Sequence, residues 1–324
     1  MIKALLTLRS PARQRARLSV LIFHRVLPQQ DPLFPQEIHA QTFEALCAWM
    51  KRWFNVLPLD QAARRLRDGS LPARAAAFSF DDGYADNHDV ALPILRRHGL
   101  PCTFFISTGF IGGGRMWNDT IIEALRRTGR GSLDLDDLVS GLGTLRCETL
   151  AERRAAIGRV IGAVKYLDPA RRLALVDELA RRAQVVPPTD LMMTPAKLRA
   201  LRGAGMQLGA HTVSHPILGR LPADQARREI EEGRRQLEQM LGEPVRLFAY
   251  PNGRPGEDYT PETVELVRQA GFDAAFSTAW GVASAQSDPM QLPRFTPWDR
   301  TPVRFALRML HNLRPRPPQA VQVA

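Results

Sequence analysis

Two carboxylates stand side by side in Ser79-Phe80-Asp81-Asp82-Gly83, at the end of an apolar run. Ionised carboxylates in such a place are costly unless a cation or hydrogen bonds compensate them. Alternation along a strand would send the two to opposite sides, so each could do a different job. The same stretch also reads as a turn at Asp82-Gly83 with Asp81 capping the next helix. Two imidazoles, out of seven in the chain, stand four residues apart in His211-Thr212-Val213-Ser214-His215. They can converge on one metal ion if the segment turns after a strand, and with one carboxylate they make an open metal site with room for water and substrate.

Such groups must be carried by particular elements. Short apolar runs over 18–24, 75–82, 101–107, 206–211, 246–250, 273–277 and 291–295 predict seven strands. Helical patterns over 42–53, 60–68, 84–97, 195–204, 222–241 and 261–270 separate most of them. Thr194-Pro195 and Thr260-Pro261 each place a capping hydroxyl before a proline at the first helical position. Strands alternating with helices predict a parallel sheet covered by helices, in a closed or nearly closed β/α barrel. The stretch 113–193 breaks the rhythm and predicts a helical insertion without strands. His24, Asp81, Asp82, His211, Tyr250 and Arg294 fall at the C-terminal ends of predicted strands, the face on which barrel active sites are built.

Taken together in this order, Ser79–Gly83 resembles the [T/S]FDDG motif, and His211–His215 the H-[S/T]-x-x-H motif, of the polysaccharide deacetylase family, carbohydrate esterase family 4, whose domain is called NodB-like. The resemblance spans about 18–295, with 113–193 poorly matched. It implies a distorted (β/α)7 barrel with a helical insertion. It implies a divalent metal, often zinc, held by Asp82, His211 and His215, with Asp81 as general base. The segment Phe248-Ala249-Tyr250-Pro251-Asn252-Gly253 resembles the family's F-R-x-P-[Y/F]-G, which implies an oxyanion-binding role for the Asn252 backbone and a substrate-side place for Tyr250. Ala249 stands where an arginine is common; Arg294 is either its replacement from the last strand or a rim ion-pair residue. The late Leu-x-His that supplies the general acid is absent, and His311 lies in a basic tail. His24 resembles the acid of biofilm-polysaccharide deacetylases, which comes from an N-terminal strand; otherwise it is a structural histidine. Trp117 opens the insertion, either to meet a sugar ring or to pack.

The expected activity is hydrolysis of N-acetyl groups from an amino sugar in a polysaccharide or glycolipid. The alternatives are a deformylase or O-deacetylase of a lipid-linked saccharide, and a catalytically inactive carbohydrate-binding barrel. Composition limits the rest. The 324 residues carry a net charge of +11, with 44% hydrophobic and 24% charged residues, which excludes wholesale disorder and a multi-span membrane protein. The excess charge sits at the ends: residues 1–17 and 300–324 each hold five basic and no acidic residues, and the barrel over 18–299 is nearly neutral. The charge distribution therefore gives no reason to expect nucleic acid, and the partner that the resemblance implies is an acetylated carbohydrate. Three cysteines without a CxxC, and no apolar run of spanning length, predict a cytoplasmic protein. The basic amphipathic ends predict peripheral contact with a membrane surface, or else a docked C-terminal helix with a solvated arginine face.

Overall fold

The computed structural model describes residues 2–314 and 319–323. They form two compact units: residues 1–29, 38–111 and 193–324 make the first, and 30–37 with 112–192 make the second.

The first unit is built on a parallel sheet. Its strands are β1 (Ser19–Phe23), β2 (Asn55–Val56), β3 (Ala75–Phe80) and β4 (Thr103–Ile106), then β7 (Gln207–Ala210), β8 (Leu247–Ala249) and β9 (Ala274–Phe276). They pair in the order β1-β3-β4-β7-β8-β9, with β2 added beside β3. Helices α1 (Ile2–Arg9), α2 (Ala40–Trp53), α3 (Leu59–Arg67), α4 (Leu92–His98), α8 (Pro195–Gly203), α9 (Ala223–Leu241), α10 (Pro261–Gln269) and α11 (Pro302–Asn312) belong to the same unit. Thr194 and Thr260 cap α8 and α10 through their side chains.

The expected seventh strand, 291–295, is reduced to two parallel bridges, Leu292 with Phe276 and Phe295 with Leu21. Pro293 between them has no N–H to give a ladder. The segment still joins β9 to β1, through Ser277 N–H to Leu292 O (2.9 Å) and Ile22 N–H to Phe295 O (3.0 Å). The sheet therefore curls into the α/β barrel-like architecture expected.

Period-two alternation explains why the strands read as continuous apolar runs, since both faces are buried. Leu21, Phe23, Phe78, Phe80, Phe104 and Phe248 pack outward with the helices. Val20, Ala75, Ala77, Phe105, Ala249 and Phe276 form a separate cluster on the inner face. Gly209 belongs to that inner face because a Cβ there would lie 2.5 Å from the Phe105 ring.

The second unit holds α5 (Trp117–Arg127), α6 (Leu150–Val164) and α7 (Pro169–Arg182) around their own core of Ile121, Leu125, Val160 and Leu179. It also contains an antiparallel pair, β5 (Ser132–Asp134) with β6 (Thr144–Arg146), which the sequence reading did not anticipate. Each strand has three residues and buries only its central leucine, too short for alternation to register. Residues 30–37 also join this unit, tied by the Asp31 carboxylate to both terminal nitrogens of Arg126 at 2.7 and 2.9 Å.

Candidate active site

The inner-face alternation carries straight into the site. Residues 75, 77 and 79 lead to Asp81, Gly209 leads to His211, and Leu292 leads to Arg294. Three side chains from three places in the chain thus emerge at one mouth, at the C-terminal ends of the strands.

Arg294 is fully buried and grips Asp81 with two parallel bonds, Nη1 to Oδ1 at 2.7 Å and Nη2 to Oδ2 at 2.8 Å. Its Nε donates to Ser277 O at 3.0 Å, and its guanidinium lies over the Phe105 ring at 5.4 Å. Burial pushes the Asp81 carboxyl up, but Arg294, helped by His211, outweighs it and holds the group below its ordinary value. Ala249 is on the same inner face, so positions 249 and 294 can both serve the same carboxylate.

Asp82, His211 and His215 each offer a ligand atom, all within 4.8 Å of one another. His211 Nδ1 lies 2.7 Å from Ala249 O, so this nitrogen carries the proton in the neutral ring and Nε2 keeps its lone pair. The Nε2 atoms of His211 and His215 face Asp82 Oδ1 at 3.5 and 3.3 Å. That oxygen is buried and receives no hydrogen bond among the described residues. Burial pushes His215 down to about 4 against the pull of Asp82, which leaves it neutral near pH 7. Burial lowers His211 too, but Asp81 and Asp82 outweigh it and raise it above its ordinary value. Two imidazole Nε2 atoms thus converge on a buried carboxylate oxygen, all three side chains being able to ligate one ion. The donor set, two imidazoles and one carboxylate, fits a divalent metal.

The backbone is spent on this arrangement. Of seven non-glycine residues with positive φ among those described, Asp82, Thr212, His215 and Asn252 belong to the site loops. Such conformations cost on the order of 1–3 kcal/mol each and persist where surroundings enforce them. Glu229 on α9 enforces one: its carboxylate accepts from the N–H groups of Val213 and Ser214, both at 2.9 Å. Gly233, one turn further on, lets the helix reach the loop, because a Cβ there would lie 2.7 Å from the Thr212 carbonyl carbon. Neither residue carries a local sequence signal, being one glutamate and one glycine on an ordinary amphipathic helix.

His24 follows β1 at the same mouth, exposed, and close enough for its charge to act on Asp81, Asp82 and His215. Asn87 Nδ2 donates to its carbonyl at 2.9 Å, while Asp86 binds Arg25 Nε at 2.7 Å and Val26 N at 3.2 Å. This clamp sits where the helix after Asp82 opens into a π turn, Asn87–Ala91, with Leu92 N–H bonding back to Asn87 O. Pro93 would clash with the Asp89 carbonyl in a regular helix. The clamp residues Arg25 and Asp86 were not singled out from the sequence.

The polysaccharide deacetylase family model matches residues 68–134 and 157–275, just over half of the chain. The chain belongs to the polysaccharide deacetylase family. Membership makes it a hydrolase of the deacetylase class, with an acetylated carbohydrate as the class of substrate. This deacetylase is 20% identical over 281 residues to YxkH of Bacillus subtilis (strain 168), whose name places it among polysaccharide deacetylases; the match covers 86% of this chain and 71% of that one. It shares its fold with the deacetylase PplD of Streptococcus pyogenes, solved in complex with acetate (TM-score 0.60, 18% identity, 93% of this chain and 99% of that one). It also shares the fold of a de-N-acetylase from Aggregatibacter actinomycetemcomitans (TM-score 0.55, 16% identity, 86% and 94%).

Within the deacetylase two expected substrate-side groups are engaged otherwise. Tyr250 points outward because it is one residue out of phase with the inner-face set. It is fully buried, stacks on Tyr259 at 4.1 Å and donates its hydroxyl to Met290 O at 2.9 Å, while its N–H goes to Phe276 O. Tyr250 therefore does not face the site. Trp117 begins α5 in the second unit, where the Arg172 guanidinium covers its ring at 4.5 Å. Asn252 sits in the left-handed region with its carbonyl held by Thr278 Oγ1 at 2.6 Å, and its N–H has no acceptor among the described residues.

Proposed function

We propose that the protein is a divalent-metal-dependent N-deacetylase acting on an N-acetylated amino sugar of a polysaccharide or glycolipid. One observation carries this reading: the buried, unbonded Asp82 Oδ1 with two imidazole Nε2 atoms at 3.3 and 3.5 Å. Asp82, His211 and His215 would hold the ion, which when bound supplies Lewis acidity toward an amide carbonyl and toward water.

The chain's own residues do the remainder. Asp81 takes the proton of the attacking water, on a lone pair that Arg294 leaves free. Arg294 keeps this carboxyl ionised, the form a general base requires. The Asn252 N–H is available to the developing oxyanion. His24, exposed at the mouth, protonates the departing amine, a step that an amide leaving group demands. The Arg294 clamp on Asp81 supports an active site despite Ala249, which together with the missing late Leu-x-His favours the inactive alternative. The de-N-acetylase among the structural neighbours favours N-acetyl over O-acetyl or formyl groups.

The test is amine release from N-acetylglucosamine oligosaccharides by purified protein, with chelator and with added zinc. Activity should vanish with chelator and return with metal, and His211→Ala should lose both bound metal and turnover. Full activity in chelator, or unchanged metal content in His211→Ala, would overturn the reading.

A further inference from the structure

α11 has two apolar faces, and the fold uses only one. Phe305, Ala306 and Met309 are buried, with Phe305 against Trp49 and Trp53 at 5.4 and 6.1 Å between ring centroids. The apolar residues of this C-terminal stretch therefore divide: Ala306 and Leu313 face inward, while Val303 and Leu307 remain 63% and 61% exposed. α1 packs beside α11 and repeats the pattern, burying Leu6 and leaving Leu8 77% exposed. Between the two helices runs an apolar groove of about 280 Å³ lined by Leu5, Leu8, Leu307 and Leu310, with Arg9 and Arg314 on its rim.

Among the described residues no carboxylate lies within ion-pair distance of Lys3, Arg9, Arg15, Arg17, Arg304 or Arg314; on the same two helices Arg308 pairs with Asp299. Arg9 and Arg314 also line a larger cavity of about 560 Å³ together with Arg15 and Arg17, where Asp288 is the one carboxylate in the lining. Burial, with a smaller contribution from the repulsion of Arg9 and Arg15, pushes Arg17 below its ordinary value. Arg316, counted in the basic tail, lies outside the described residues. No described helix is long and apolar enough to cross a membrane.

We propose that the α1/α11 face is a docking surface for an anionic phospholipid bilayer, with the exposed leucines entering the interface and the arginine-lined cavity beside them receiving lipid phosphates. Apolar side chains flanked by unpaired cations, with no acid on either helix, are complementary to headgroups above acyl chains. Each cation near such a surface strengthens binding about fivefold. Each leucine that enters the interface adds roughly tenfold. The site chemistry is untouched by this proposal, and its readout is binding.

Co-sedimentation with phosphatidylcholine vesicles, with and without phosphatidylglycerol, tests it on the full chain. The intact protein should sediment with the phosphatidylglycerol vesicles and not with the neutral ones, and salt should release it. Leu8→Ser/Leu307→Ser and Arg9→Gln/Arg314→Gln should each weaken binding by more than about tenfold. Circular dichroism and hydrolysis of a soluble oligosaccharide should be unchanged in both. Failure of the intact protein to bind anionic vesicles, or equal binding by either double variant, overturns the proposal. So does a dimer in gel filtration that Leu8→Ser/Leu307→Ser dissolves while vesicles are ignored, since the face would then belong to a second copy.

Discussion

Replacing Arg294 by methionine removes the clamp on the base while keeping side-chain bulk over Phe105. The pair it breaks is dry, with side-chain exposures of 0% and 3%, and consists of two charge-assisted bonds at 2.7 and 2.8 Å. Removing one partner of such a pair costs about 3–5 kcal/mol, because the other charge stays buried alone. A fall in melting temperature of roughly 4–7 °C follows for a chain of this size. The pH dependence changes sign as well. In the native protein Asp81 is depressed, so its contribution to stability is present above the unfolded carboxyl value and is lost as pH falls through the folded one. In Arg294→Met burial dominates, the folded value rises above the unfolded one, and the variant is penalised as pH climbs. Turnover should follow, with the acid limb of the kcat profile moved to higher pH and part of the activity recovered in alkaline buffer. Thermal melts and kcat profiles measured across the same pH series check both halves. Adding Ala249→Arg to Arg294→Met should move the limb back, since 249 opens onto the same inner face. A variant with native melting temperature and an unmoved acid limb would refute the argument that Arg294 governs Asp81.

His24→Ala should lower turnover on acetamido sugars by on the order of 10²-fold or more without releasing metal. The loss should be much smaller on aryl acetates, whose phenolate leaves without a proton; equal losses on both substrates would remove its role as acid. Gly233→Ala forces a Cβ to within 2.7 Å of the Thr212 backbone, costing about 1–3 kcal/mol and loosening the His211–His215 turn. Metal titration should show weaker binding, while Gly158→Ala on α6, where a Cβ meets nothing within 4 Å, should stabilise slightly through helix propensity.

The separation between what was legible and what was not follows the range of the interactions involved. Strand-helix alternation, the helix caps at Thr194 and Thr260, and the two chemical motifs are encoded within a few residues of chain, and the barrel-like fold follows from them. So does the placing of His24, Asp81, Asp82, His211 and Arg294 at strand ends, since period two and parallel pairing are local rules repeated. The strand around Pro293 was overestimated because an apolar run records burial and not whether an N–H is available. Tyr250 was assigned to the site from its position at a strand end, but its phase within the strand turns it away. The partners that hold the site could not be read at all: Glu229 under the His211–His215 turn, Gly233 beside Thr212, Asp86 on Arg25 and Val26. Those contacts join residues that are distant in sequence or lie on faces ordinary by composition, and only packing brings them together. The tails show the same division in charge. Sequence alone determined that the ends are basic and amphipathic, whereas the tertiary structure decided which apolar residues the core would consume. Phe305 goes inward because Trp49 and Trp53 are there to receive it, and Leu8 and Leu307 remain outside because nothing described covers them.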